Sequence, residues 1–155
     1  MFLSLEKRNL IVNILAALII FLFVYTAIDK LMNLDSFKVV LEKSPLLHSF
    51  SEMLAVMIPV TEICISGLLF FQFSRVLGFL LSTILMGLFT IYIGYMILFI
   101  PKLPCSCGGI IQQMNWTQHL IFNTVFSFLS FLGWRMSKKI TQDFIAINRQ
   151  SRTPV

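Results

Sequence analysis

Long apolar runs alternate with short polar breaks along this chain. A membrane-crossing helix needs about 20 mainly apolar residues to cover a hydrocarbon core of roughly 30 Å. The first such run is about 10–28, from Leu10 to Ile28, interrupted only by Asn13 and Thr26. The second is about 53–73 and carries Pro59, Glu62 and Cys64. After a tight connection at Gln72, Ser74 and Arg75 comes a third, 76–100, with no charged residue. Pro101, Lys102 and Pro104 stop it, and a polar loop leads to Trp116. The fourth run is about 117–134, with Thr117 as its expected N-cap.

Between the first two runs lies a polar stretch, Asp29 to Ser44. Within it Phe37, Val40 and Leu41 recur at helical spacing, with Lys38, Glu42 and Lys43 on the other side. Asp35 or Ser36 would cap this piece and Pro45 would end it. It is too short to span, so the pattern predicts an amphipathic helix lying at the bilayer interface. The expected fold is all-α: an integral membrane four-helix bundle over 1–134, with a short interfacial helix between the first two spans. Residues 135–155 read as a basic tail whose last residues, Gln150 to Val155, look disordered.

Composition narrows the function classes. Of 155 residues, 57% are hydrophobic and only 12% charged, against about 25% charged in soluble domains. A water-soluble domain would lack the charge to cover its surface, and the length leaves no space for a soluble catalytic domain beside the spans. The net charge is +5, but no basic stripe interleaved with aromatics points to nucleic acid. The charge follows topology instead. Lys7, Arg8, Arg75, Arg135, Lys138, Lys139, Arg149 and Arg152 fall on one side of a four-span protein, and only Lys30, Lys38, Lys43 and Lys102 on the other. The positive-inside rule then places both termini in the cytoplasm of a bacterial inner membrane. Lys7 and Arg8 resemble a signal-peptide n-region, but the apolar stretch is long and no small-residue cleavage site follows, so it reads as a retained helix. The loop after the third run then faces the periplasm or cell exterior, where disulfides form and persist.

That loop holds the main chemical signal, Pro104-Cys105-Ser106-Cys107-Gly108-Gly109. Two cysteines one residue apart in a polar loop suit a redox dithiol. An i,i+2 disulfide closes a strained small ring, and strained exposed disulfides are the exchangeable ones. Gly108 and Gly109 permit the tight path, and their amides could form a nest that favours a thiolate. A static bridge and a metal site are the alternatives. Cys105, Cys107 and His119, with Met114 as a further candidate, are soft ligands for Cu or Zn, although the spacing matches no standard zinc pattern.

Trp116, His119 and Asn123 are spaced i, i+3, i+7 and share a helix face that begins where the loop ends. His119 could take a proton from a cysteine or bond a quinone carbonyl; a histidine satisfied by interfacial water is the plainer alternative. Trp116 and Asn123 would lie in the quinone's vicinity. Glu62 is the one carboxylate well inside a span, about 13–14 Å deep if its helix starts near Met53. Such groups face a bundle interior or a cavity, relaying protons or holding helices together. Pro59 would kink the helix and free a carbonyl beside it. Asp29 and Lys30 close the first helix and would snorkel, pair with each other or pair with Glu62. Cys64 reads as a small core residue ahead of a third redox partner. Tyr25, Tyr92 and Tyr95 fit an interfacial aromatic belt. Ser82, Gly87 and Gly94 would allow close helix contact.

These residues together, Tyr25-Thr26-Ala27-Ile28-Asp29-Lys30-Leu31, then Phe37, Pro59, Glu62 and Gly67, the Pro104–Gly109 loop, and Trp116, His119 and Asn123, resemble the MauE/DoxX family of redox-associated membrane proteins, most of all its Bacteroidetes-type members. The resemblance covers nearly all of the chain up to Trp134, and the Cys-x-Cys-Gly-Gly loop with its downstream Trp and His is the specific part. It implies a four-helix membrane bundle. The MauE branch is associated with forming or maintaining disulfides in a periplasmic enzyme subunit, and the DoxX branch with thiosulfate–quinone oxidoreduction. The plan is also similar to vitamin K epoxide reductase and DsbB, which pass electrons from thiols to quinone through Cys-x-x-Cys pairs. This chain has Cys-x-Cys and no second periplasmic pair, which implies an external thioredoxin-like or disulfide-bearing partner. The expected function is thiol–disulfide redox exchange through Cys105 and Cys107, with His119 tuning the thiolate, Glu62 carrying protons and a quinone as electron acceptor. Metal binding or transfer, and a non-enzymatic subunit of a membrane complex, are the rival classes.

Overall fold

The computed structural model describes residues 2–42, 44, 47–99 and 115–150, and among these there is no strand. Helix α1 spans Phe2–Met32 and is followed almost at once by α2, Leu34–Glu42. A single 3-10 turn at His48–Phe50 leads into α3, Ser51–Phe70; then come α4, Arg75–Phe99, and α5, Trp116–Gln150. The four long helices pack as neighbours in a ring, α1 against α3 and α5, and α4 against α3 and α5. Helix α2 folds back onto α3.

The long elements differ from the expected spans at their ends, for local reasons. Helix α1 starts well before Leu10 and runs through Asp29 and Lys30, because nothing there breaks it; Asn33 interrupts it and donates its side-chain amide to the Asp29 carbonyl at 3.1 Å. Helix α3 stops at Phe70 rather than 73 because Phe71 turns extended. Its last carbonyls are taken up by the next element: the Ser74 hydroxyl donates to the Leu68 carbonyl at 2.8 Å, and Arg75 Nε to the Leu69 carbonyl at 3.2 Å. Helix α5 begins at Trp116, one residue before the expected start, and the residue preceding it is Asn115, not Thr117. The Gln118 side chain reaches back to accept the Asn115 amide at 3.0 Å, half of a capping box.

Helix α5 also continues past Trp134 to Gln150, where a polar tail was expected. Its inward phase persists: Met136 and Ile140 pack on the core, and Asp143 accepts an ion pair from Arg8 on α1 at 3.1 Å. This pair brings the start of α1 and the end of α5 together. Arg75 adds the α3–α4 turn to the same end, donating to the Asn13 side chain on α1.

Three segments among the described residues are long and apolar enough to cross a membrane: Glu6–Met32, His48–Phe70 and Arg75–Phe99. Helix α5 is long enough, but Gln118, His119, Asn123 and Thr124 dilute its apolar stretch, and it is not among the three. Only 28–33% of each apolar window is buried, and Phe21, Ile91 and Leu98 point outward, more than two-thirds exposed. Bare apolar surface on that scale needs lipid around it. The core gathers Val12, Ala16, Ile19 and Phe23 of α1 against Ile65 and Leu69 of α3 and Phe79 and Met86 of α4.

Close backbone approach occurs at Gly78, where an added Cβ would meet the Leu69 amide nitrogen at 2.9 Å, and at Gly133, where it would meet the Phe79 ring at 2.3 Å. Ser82, as expected, is fully buried. Gly94 is a correction: a Cβ there meets nothing within 4 Å, and one at Gly87 meets only Ser127 Oγ at 3.9 Å. Both residues stand one position off the buried phase of α4, which runs through Ser82, Met86, Ile93 and Met96.

Candidate functional site

The core fills the half of the bundle nearer Arg8 and Asp143. The other half holds a partly open cavity of about 460 Å³. It is walled by α1, α2, α3, α4 and the first turns of α5. The lining is mostly apolar, with a few polar side chains converging, the usual composition of a small-molecule site. The amphipathic reading of α2 holds in its facing: Phe37, Val40 and Leu41 line this cavity, and Lys38 on the opposite face pairs with Glu42 at 4.0 Å and with Glu52 of α3. The apolar face of α2 thus closes a site inside the protein. Glu52, hydrogen-bonded to the Lys38 ammonium, holds the Lys38 pKa above its ordinary value.

The polar centre of the cavity is an ion pair between Lys30 of α1 and Glu62 of α3. Of the three arrangements open to Lys30, this is the one adopted. The phase of α1 requires it: Val12, Ala16, Ile19, Phe23 and Thr26 are buried at alternating steps of four and three, and Lys30 is the next step. The Lys30 ammonium also lies over two rings, 5.7 Å from the centroid of Phe37 and 5.4 Å from that of Phe89, as cation–π contacts favour. Glu62 is only 2% exposed. Its Oε1 takes the Lys30 bond, and its Oε2 is buried with no hydrogen-bond partner among the described residues. The Thr26 hydroxyl lies within reach of the carboxylate but donates to the Phe23 carbonyl at 3.2 Å.

Helix α5 supplies Trp116, His119, Phe122 and Asn123 to the same cavity. The expected shared face of Trp116, His119 and Asn123 is therefore turned inward. The Asn123 side-chain amide donates to the His119 carbonyl at 3.0 Å, which fixes its orientation. Glu62, Trp116, His119 and Asn123, picked from sequence on separate grounds, thus meet in one place. Cys105, Cys107 and Met114 lie outside the described residues. Among the described residues no three His, Cys, Asp or Glu side chains cluster as metal ligands.

One sequence expectation is corrected here. Cys64 is exposed on the outside of α3 rather than in the core, two residues out of phase with Glu62. Tyr25 and Tyr92 line the cavity, and Tyr95 stacks on Phe99 with ring centroids 4.9 Å apart. Sequence reasoning missed Phe37 and Phe89 as partners of Lys30; the signal lay in helix phase, since Phe89 follows Ser82 and Met86 on the buried side of α4.

No curated protein and no solved structure matches this chain. A family model does, over residues 8–136, which takes in every described cavity-lining residue and reaches Met136 on α5. The chain belongs to that family, described as methylamine utilisation protein MauE, and is a membrane protein of it.

Proposed function

We propose that this protein is an inner-membrane thiol–disulfide redox protein, with α5 as a fourth span and the Cys105–Cys107 loop on the periplasmic side. In the exchange step, a thiolate of a periplasmic thioredoxin-like or disulfide-bearing partner attacks the loop disulfide, forming a mixed disulfide. The partner's second thiol resolves it, leaving the partner oxidised and Cys105 and Cys107 as a dithiol. Reoxidation of the dithiol releases two electrons and two protons, which convert a membrane quinone to the hydroquinone. His119 serves as the base nearest the loop, and Glu62 as a proton carrier.

One observation carries this reading. Trp116, the first residue of α5 after the segment that carries Cys105 and Cys107, lines an apolar cavity in which His119, Asn123, Lys30 and Glu62 converge. A lipophilic acceptor housed there would lie next to Trp116, where the chain enters α5 from the segment that carries the two cysteines. The test is the redox state of Cys105 and Cys107 in intact cells, by acid quench and maleimide mass-tagging in a Cys64→Ser background. The expected result is a pair reached by membrane-impermeant reagent that moves between oxidised and reduced with growth conditions. A pair that stays fully oxidised throughout overturns the redox reading in favour of a structural bridge. A pair that is reduced and unreactive until a chelator is added replaces it with the metal reading.

A further inference from the structure

We infer that the outward face of α5 around Arg135 is a binding site for an anionic phospholipid, with the phosphate held by Arg135, Lys138 and Lys139 and the acyl chains lying along Phe131, Phe128 and Ile121. The site rests on α5 as a span and not on the thiol chemistry. One strip of the helix carries it. At about 100° per residue, Ile121, Phe128, Phe131, Lys138 and Lys139 all fall within about 60° of Arg135. All six are exposed. The strip is apolar through Phe131 and cationic from Arg135 onward, so the change falls within about one turn. No acidic residue occurs in α5 before Asp143, and Asp143 is taken by Arg8. Among the described residues the three cations of the strip form no ion pair.

Two of these cations are drawn back toward the apolar part of the strip. The Arg135 guanidinium lies over the Phe131 ring, 5.8 Å from its centroid, and the Lys138 ammonium lies over the Trp134 ring at 5.5 Å. In each case the ring belongs to the residue four positions earlier, so the charge is turned toward the start of the helix. A cation that only marks a membrane side snorkels the other way, into water. Held back, these charges stand beside the exposed apolar surface, with free donors for an anion. The planar fork of Arg135 matches the paired oxygens of a phosphate, and the lysines add point charges. A soluble acidic protein could meet the cations but not the bare strip next to them. A phospholipid is anionic and then apolar in the same order along the helix.

The experiment uses full-length protein in lipid nanodiscs, with Trp116→Phe so that Trp134 is the remaining tryptophan. Bromine quenches tryptophan at close range, so brominated lipid reports what lies against this face. In one preparation phosphatidylglycerol carries chains brominated near the glycerol, among plain phosphatidylcholine. In the other the bromine is on phosphatidylcholine, at the same mole fraction among plain phosphatidylglycerol. The apparent affinity at Trp134 is expected to be about fivefold higher for phosphatidylglycerol, the scale of one Lys or Arg attracted to an anionic surface. Arg135→Gln with Lys138→Gln and Lys139→Gln should bring that ratio to about one. If the triple variant folds poorly, Arg135→Gln alone should lower the ratio by about twofold. Lys7→Gln removes the same charge from an exposed position on α1 and should leave the ratio unchanged. Equal quenching by the two lipids, or an equal fall in Lys7→Gln, overturns the site while leaving α5 as a span. Quenching by neither lipid overturns both together. Soluble glycerophosphate in excess should not restore the fluorescence; if it does, the cations hold a free anion and the lipid assignment fails.

Discussion

Lys30 and Glu62 sit where the bilayer would make single charges costly, and each is tolerable because the other is there. Breaking such a buried pair strands a charge and costs about 3–5 kcal/mol, whereas replacing both partners by apolar residues is often close to neutral. Lys30→Met alone is therefore expected to lower stability by about 3 kcal/mol or more. Lys30→Met with Glu62→Met should recover most of that loss. Unfolding midpoints of the two variants in one detergent check this, and a double variant no better than the single one would show the pair to be uncoupled. Glu62 was readable from sequence as an intramembrane carboxylate, because that residue type is conspicuous in an apolar run. Its choice of partner was readable only in part. Lys30 lies near a helix end, where snorkelling to water is the ordinary expectation, and it is the buried 4-3-4-3-4 stepping from Val12 that turns it inward.

The same stepping separates the glycines of α4 and α5 into two kinds. Gly78 and Gly133 lie in the buried phase and touch a neighbouring backbone and a ring; Gly94 lies beside the phase with open space around it. Gly133→Ala should destabilise by about 1–3 kcal/mol, since the Phe79 ring has no easy retreat from a core position. Gly94→Ala should be neutral or stabilise by up to about 1 kcal/mol through helix propensity. Thermal unfolding of the two variants separates them, and equal losses would refute the packing assignment. Helix α2 is held differently. Its Lys38–Glu52 pair is exposed, so Lys38→Ala should speed amide exchange in α2, and the difference should shrink at high salt. Because the folded pKa of Lys38 is raised and that of Glu52 lowered, the pair contributes fully at neutral pH, fading in strong alkali as Lys38 loses its proton and in acid as Glu52 gains one. Apolar runs revealed the existence of every long helix, although length and hydropathy alone mark a span only for α1, α3 and α4. They could not reveal where α5 ends: hydropathy falls at Arg135, but the helix follows its inward stripe through Gly133 and Ser137 to the Arg8–Asp143 pair.

For the whole molecule, the contrast between the two ends of the bundle bears on how it sits across a bilayer. Arg8–Asp143 and Arg75–Asn13 fasten the start of α1, the α3–α4 turn and the last part of α5 at one end. Lys30, His119 and the cavity occupy the other half. The basic residues gather toward the first end, and an excess of Lys and Arg marks the cytoplasmic side. Helix α5, 35 residues long, would extend about 52 Å, well beyond a core of roughly 30 Å. Of the polar residues that dilute it, His119 and Asn123 line the cavity, while Gln118 and Thr124 are exposed, the Thr124 hydroxyl donating to the Leu120 carbonyl at 2.8 Å. Thr117 and Gln142 are both exposed and lie 25 residues apart on this helix, about 37 Å at the helical rise. In a protein with Cys64, Cys105 and Cys107 replaced by Ser, a membrane-impermeant maleimide should label Thr117→Cys in intact cells. It should label Gln142→Cys only after lysis. The reverse pattern would invert the protein in the membrane and put the Cys loop in a reducing compartment, where a dithiol relay to a periplasmic partner is impossible. Labelling of both positions from one side would mean that α5 lies along the surface, and the cavity would then need a lipid or a second chain as its fifth wall.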